Sequence, residues 1–186
     1  MKLSPRQKLL ALIALFAVPI VASVLSYRFL HVEPTANYGE LITPPMAITT
    51  QRFSTPAGTP FQFGELSGRW ILVASDSGAC DRRCEAKLAA LRQLRLALGR
   101  NASRVERVFV VDDTRAPSPG ALEPFPGMHV ALTPPGLSLP PGAANDRAHV
   151  YLVDPNGNVM MRWPDPPDMR RMFKDLERLL KASQIG

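Results

Sequence analysis

Cys80 and Cys84 are the only cysteines in a chain of 186 residues, and three residues separate them. That spacing is close to one helical turn, so on a helix the two sulfurs face the same side. Such a pair has two chemical outlets. It can close a disulfide if the first turn bends, which gives a two-electron dithiol couple. Reduced, it can hold a soft ion such as Cu(I) between two thiolates. A disulfide across so short a loop constrains the unfolded chain little, so stapling alone is a weak reason for the pair. The bland alternative is two small buried hydrophobes. The segment reads Ser75-Asp76-Ser77-Gly78-Ala79-Cys80-Asp81-Arg82-Arg83-Cys84. Cys80 is expected at a helix N-terminus, where unpaired N–H groups and the macrodipole favour a thiolate. Arg82 and Arg83 add positive charge there, and Asp81 opposes it. Cys84, one turn further in, is expected to be the more buried of the two.

The elements that must position this pair follow from periodicity. Trp70–Ala74 is a short continuous apolar run, as in a strand buried on both faces. A helix follows, with Cys84, Leu88, Leu91, Leu94 and Leu98 on one stripe. Arg82, Arg83, Lys87, Arg92 and Arg95 are expected elsewhere on it, Ser77 or Asp76 at its start and Gly99 at its end. Val105–Val111 reads as another apolar strand. The stretch 112–145, with prolines at 117, 119, 124, 126, 134, 135, 140 and 141, is expected to be irregular. His149–Val153 and Asn158–Trp163 read as a hairpin across the turn Asp154–Gly157. A last helix is expected from Pro166 to Ala182, capped by Asp165, with Met172, Phe173, Leu176 and Leu180 on its apolar face. Upstream, Met46–Phe53 alternates loosely and Phe61–Phe63 is extended. A helix between two apolar strands implies a crossover to a parallel neighbour, and the hairpin adds an antiparallel pair. This is the order of an α/β, thioredoxin-like domain: a central mixed sheet flanked by helices, with the cysteines where the first core strand hands over to its helix.

The N-terminus carries a second message. Lys2, Arg6 and Lys8 precede an uncharged apolar run from Leu9 to Tyr27, long enough at about 1.5 Å per residue to cross a bilayer of about 30 Å. Pro19 within it is tolerated in membrane helices. A cleaved signal peptide would carry a shorter apolar core followed by a small-residue site, and Val21-Ala22-Ser23 lies inside the run. The expectation is an uncleaved transmembrane helix with a cytoplasmic tip (1–28), a linker (29–45) and one exported domain (46–186). The formal net charge of +6 then describes a basic surface facing an anionic membrane. No nucleic-acid partner is expected, because the domain is exported and no basic strand interleaved with aromatics is present.

Three segments together resemble the SCO/SenC family of cytochrome c oxidase assembly proteins: Phe63–Val73, Cys80 with Cys84, and Tyr151–Gly157. The likeness runs over about residues 60–182, and the cysteine spacing is its specific part. It implies an N-terminal anchor in the inner membrane and a thioredoxin-like periplasmic domain. It implies a role in building the binuclear copper site of oxidase subunit II, through copper held by two cysteines and a histidine or through reduction of that site. The family's histidine falls five residues before the tyrosine, which here is Asp146. His149, two before Tyr151, is the candidate third ligand beside Cys80 and Cys84, although positions three apart in a strand face opposite ways. His129 is a second candidate without a motif. Met160 and Met161 alternate on the hairpin strand, so at most one is expected to face a site, and core packing is the better reading of both. Two other functions stay open: a membrane-tethered thiol–disulfide oxidoreductase with Cys80 attacking and Cys84 resolving, and a non-catalytic scaffold that has drifted from copper.

Overall fold

A computed structural model describes residues 4–29, 37–134, 147–164 and 166–183. The chain forms two compact units, Met1–Ala36 and Asn37–Gly186. In the first, helix α1 runs over Pro5–Phe29 with Pro19 inside it. Its stretch Pro5–Ser26 is, among the described residues, the one helix long and apolar enough to cross a membrane. Its described side chains are exposed, as an apolar helix without a protein partner requires.

The second unit is built on an eight-stranded sheet. In chain order its elements are β1 (Glu40–Ala47), β2 (Phe53–Ser54), β3 (Pro60–Phe61), β4 (Trp70–Asp76), α2 (Arg82–Ala97), β5 (Val105–Val111), α3 (Pro119–Leu122), β6 (His129–Leu132), β7 (His149–Val153), β8 (Asn158–Pro164) and α4 (Met169–Ala182). The sheet order is β1-β8-β7-β4-β5-β6-β2-β3. β5 lies parallel to β4 and to β6, while β7 lies antiparallel to β4 and to β8. The α2 crossover is therefore the one that the apolar runs imply, and the fold is the thioredoxin-like mixed sheet with flanking helices.

Strand alternation sorts the core into two clusters. Leu72 and Ala74 of β4, Phe109 and Val111 of β5, and Val150 and Leu152 of β7 meet α2 and α4 on one face. Ile71, Val73, Val108, Val110, Tyr151 and Val153 form the other face with Phe53, Phe61 and Phe63. From α2 the leucine stripe Leu88, Leu91 and Leu94 is fully buried, and from α4 Met172 and Leu176 join it.

Four elements depart from the sequence reading, each for a local reason. Residues 40–45, expected within the linker, belong to the edge strand β1, which pairs with β8 and ends at Ala47, where a strand was expected to run on from Met46 to Phe53. The segment carries Pro44 and Pro45, and prolines are admitted at a sheet edge. Helix α4 starts at Met169, and its cap is Asp168, whose carboxylate accepts from the N–H of Arg170 and Arg171. A proline disfavours the helical region for the residue before it, so the Pro166-Pro167 pair delays the helix. Asp165, the expected cap, lies outside the described residues. The proline-rich stretch contains the short helix α3 and the strand β6, a four-residue strand that forms against β5 rather than from its own pattern. Finally, the β7–β8 ladder shifts register between Leu152↔Met161 and Val153↔Val159, so Met160 is an inserted bulge residue. Met160 and Met161 consequently do not alternate: Met161 is buried in the helix-side cluster, and Met160, partly buried, packs against that same cluster.

Candidate redox site

Cys80 and Cys84 are joined by a disulfide, with Cα atoms 5.0 Å apart. They belong to the helix-side cluster, with Cys80 5% exposed and Cys84 fully buried. The expected order of burial is therefore seen. The expected helix start is not. The N-cap is Asp81, whose carboxylate accepts from the N–H of Arg83 and of Cys84, each at 3.0 Å. Cys80 precedes the cap, with φ at +37°, a left-handed conformation that non-glycine residues seldom adopt. Two of the helix N–H groups assigned to a Cys80 thiolate are thus engaged by a carboxylate. The N–H of Cys84 holds the Asp81 carboxyl below the ordinary aspartate range, working against desolvation and helped by the N–H and charge of Arg83.

The residues expected as caps do other work. Asp76 ends β4, and its backbone carbonyl accepts from the N–H of Asp112. Ser77 donates its hydroxyl to Asp113 at 2.6 Å, and the N–H groups of Gly78 and Arg115 donate to the other oxygen of that carboxylate. Burial raises the proton affinity of Asp113, but the Ser77 hydroxyl, these N–H groups and the Arg115 charge hold its carboxyl below the usual range. A Cβ built on Gly78 would meet the Arg115 carbonyl oxygen at 1.7 Å. Only glycine permits the cysteine loop to lie this close to the loop after β5.

Beneath the loop is a buried ionic network that periodicity could have found. Lys87 is 2% exposed. Its Nζ donates to the Ser75 carbonyl (3.2 Å), to Asp76 Oδ2 (3.1 Å) and to the Arg147 carbonyl (2.8 Å). The sequence reading set Lys87 off the apolar stripe. Yet it stands three residues after Cys84 and four before Leu91, which is stripe spacing. Arg147 in turn clamps Asp112, with Nε–Oδ2 at 2.9 Å and Nη2–Oδ1 at 2.6 Å. The hydrogen bond from Arg147 to Asp112 raises the proton affinity of the guanidinium against the effect of its burial. This network ties the end of β4, the end of β5, α2 and the start of β7 together around the disulfide.

The two described histidines are elsewhere. His149 alternates with Val150, so it lies on the face of Tyr151, and its ring centroid is 6.2 Å from that of Tyr151. His129 pairs in register with Val108 and stacks on Phe61 at 6.0 Å. Both are across the sheet from the disulfide. Asp146 lies outside the described residues. Among the described residues no group of three His, Cys, Asp or Glu side chains is arranged to hold a metal ion. The two sulfurs therefore have no histidine beside them within the described residues, and the Cys80, Cys84 and His149 set does not fit a three-ligand copper site.

Comparison with known proteins agrees with the fold. A family model described as transmembrane-like, thioredoxin-like, C-terminal domain matches residues 70–183. No curated protein matches in sequence. Solved structures with the same fold include apo Sco1 from Thermus thermophilus in solution (18% identity, 77% of this chain and 96% of that one, TM-score 0.59). Yeast Sco1 with copper bound is similar at 16% identity over 75% of this chain and 91% of that one, TM-score 0.57. The thioredoxin domain of a thiol-disulfide oxidoreductase from Bacteroides vulgatus is similar at 15% identity over 72% and 94%, TM-score 0.52.

Proposed function

Given that the chain belongs to the transmembrane-like, thioredoxin-like family, we propose that it is a membrane-tethered dithiol protein of the Sco kind, serving the assembly of a respiratory cytochrome c oxidase. The observation that carries this reading is the Cys80–Cys84 disulfide with both described strand histidines across the sheet from it. In the reduced protein the Cys80 thiolate, at the more exposed sulfur, attacks one sulfur of a client disulfide. A Cys80–client mixed disulfide forms and one client thiolate leaves. Cys84, one turn deeper, gives up its proton and attacks Cys80, which closes the intramolecular disulfide and releases the second client thiolate. Two electrons pass to the client, and an upstream dithiol donor must restore the reduced pair. Asp81 sets the helix start, Asp113 fixes the loop carrying Cys80, and Lys87 braces the turn beneath Cys84.

Oxidase subunit II is the client this reading names, and the inner membrane with a periplasmic C-terminal domain is its location. Basic residues before the apolar run support that topology. A reporter active only in the periplasm, fused after Gly186, should be active; activity of a cytoplasm-only reporter there overturns it.

Copper handling is the second reading, favoured by the similarity to Sco1 with copper bound. Reduced Cys80 and Cys84 would supply two thiolates for Cu(I), and a further ligand would come from outside the described residues. The deciding experiment is anaerobic titration of the reduced full chain with Cu(I), beside measurement of its reduction potential. An accessible dithiol couple without tight copper binding is expected. Tight one-to-one copper that is lost in His149→Ala restores the three-ligand site and overturns the dithiol reading.

A further inference from the structure

We propose that the groove between α2 and the α3 loop, which starts at Arg82 in the turn that carries Cys80 and Cys84, docks an extended acidic segment of a client polypeptide. The groove has a volume of about 460 Å³. It begins at Arg82, midway in sequence between the two cysteines, and runs along α2 past Ala86 and Ala89 to Arg92, with Pro124 and Phe125 as its far wall. Its floor is mostly apolar, and its Arg82 end lies in the same turn of chain as the cysteine pair.

Charge selects the occupant. Arg82 and Arg92 line the groove at its two ends, against one acid, Glu85. Behind Arg92 stand two further arginines. Arg92 and Arg107 brace the same wall, with Arg92 Nη1 donating to the Pro124 carbonyl at 2.7 Å and Arg107 Nη2 to the Pro126 carbonyl at 2.6 Å. Arg92 also lies over the Phe125 ring. Arg95 is one turn on and donates to the Val105 carbonyl. Arg107 is 2% exposed, and its Nε and Nη1, like Nε of Arg92, have no hydrogen-bond partner among the described residues. Burying a guanidinium with unpaired donors is costly. Burial, then the charges of Arg95 and Arg92, pull the proton affinity of Arg107 down, while Glu106 partly offsets them. No carboxylate pairs directly with Arg92, Arg95 or Arg107 among the described residues. A carboxylate arriving at Arg92 would therefore meet a local excess of positive charge in a partly desolvated site, where a charge-assisted hydrogen bond is strong. A segment with an apolar residue over Ala86 and Ala89 and a Glu or Asp at the Arg92 end fits both features. The idea rests on the dithiol reading only for the client's cysteine; docking itself involves no sulfur chemistry.

The test uses the full chain, oxidised, in neutral detergent, with fluorescent nonapeptides in which serine replaces the cysteine. Three peptides share a leucine and carry Glu-Glu, Gln-Gln or Lys-Lys at the same distance from the serine. Anisotropy should show the Glu peptide binding roughly threefold to tenfold more tightly than the Gln peptide, the scale of one partly exposed charge-assisted bond. The Lys peptide should bind least, and the preference should shrink as salt rises. Arg92→Gln, which keeps a donor for the Pro124 carbonyl, should erase the Glu preference and leave the Gln peptide unchanged. Should that variant not fold, Arg82→Gln at the exposed end should reduce the same preference. Equal affinity for Glu and Gln peptides overturns the proposal. So does an Arg92→Gln that weakens both alike, or a chain that ignores every peptide but dimerises, or binds anionic lipid vesicles, through Arg92. A parallel assay with cysteine peptides and reduced protein separates the two ideas. Selective docking without disulfide exchange sinks the dithiol reading and leaves the groove; exchange without selectivity does the reverse.

Discussion

The two faces of the sheet differ in how much charge they bury. The helix-covered face holds the disulfide and most of the buried charge: Asp76, Lys87, Arg107 and Asp175. Both faces bury rings, among them Trp70, Phe109, Phe125 and Trp163 on the helix side; on the opposite face Phe53 and Phe61 are set edge-on to Phe63 at 5.4 and 5.7 Å, and His129 and His149 lie against aromatic neighbours. Its one buried charge among the described residues, Glu106, is paired with Arg69 and near His129. Aromatic packing tolerates much repacking, because area does most of the stabilising. Buried charge does not, because each partner removed strands another. The helix face is therefore where position is held tightly, and it is the face that carries the sulfur.

Substitutions can break or sharpen this contrast. The largest effect is expected at Lys87. Lys87→Ala takes the ammonium from Asp76 Oδ2 and from the Ser75 and Arg147 carbonyls, leaving Asp76 with the Ser77 N–H and the more distant Arg147, which should cost about 3–5 kcal/mol in urea unfolding; a loss under about 1 kcal/mol would mean that the network rearranges freely. Next is Leu176, fully buried on α4, where Leu176→Ala should cost about 2–5 kcal/mol. A change below about 0.5 kcal/mol would show that α4 is not docked on this face. The sulfurs come third. In the reduced chain near neutral pH, iodoacetamide should label Cys80 well before Cys84, since Cys84 lies under the leucine stripe; equal, slow labelling would make the pair structural. Fourth is acid. Asp81 is held below the ordinary aspartate range in the folded chain, so its capping stability is present above the unfolded pKa and is lost as pH falls through the lower folded value. Asp81→Ala should lower the melting temperature at neutral pH, and the gap from the native chain should close at strongly acid pH. A constant gap would mean that the carboxylate charge is not what caps the helix. The smallest effect belongs to the aromatic face. His149→Ala should change neither disulfide exchange nor Cu(I) affinity, and any loss of either would bring His149 back to the site.

How much of this was legible in the residues depended on whether the signal was local. Strand β5, the β7–β8 hairpin and the leucine stripe declare themselves because each buries a periodic pattern. The hand-over from β4 to α2 was readable, and with it the neighbourhood of the cysteines. The helix start was not, because Asp76, Ser77 and Asp81 are all good caps, and the choice rests on the approach of Gly78 to Arg115, a contact from another strand's loop. Residues 40–45 and β6 were missed for a related reason: each is a strand only because β8 or β5 offers it an edge. Strand parity at His149 was the opposite case. Alternation with Val150 along β7 is enough to put it on the face of Tyr151, across the sheet from the disulfide.

The inserted Met160 has a consequence for anyone laying other chains beside this one. Before it, Val159 faces the aromatic cluster; after it, Met161 and Trp163 face the helices, though all three are odd-numbered. The strand therefore changes its inside–outside frame at a single residue. An alignment that crosses β8 without a gap at 160, against a partner with a regular ladder, will equate positions on one face of the sheet with positions on the other on one side of that point. It will then report drift in side-chain character where the two chains differ only by one turn of the frame.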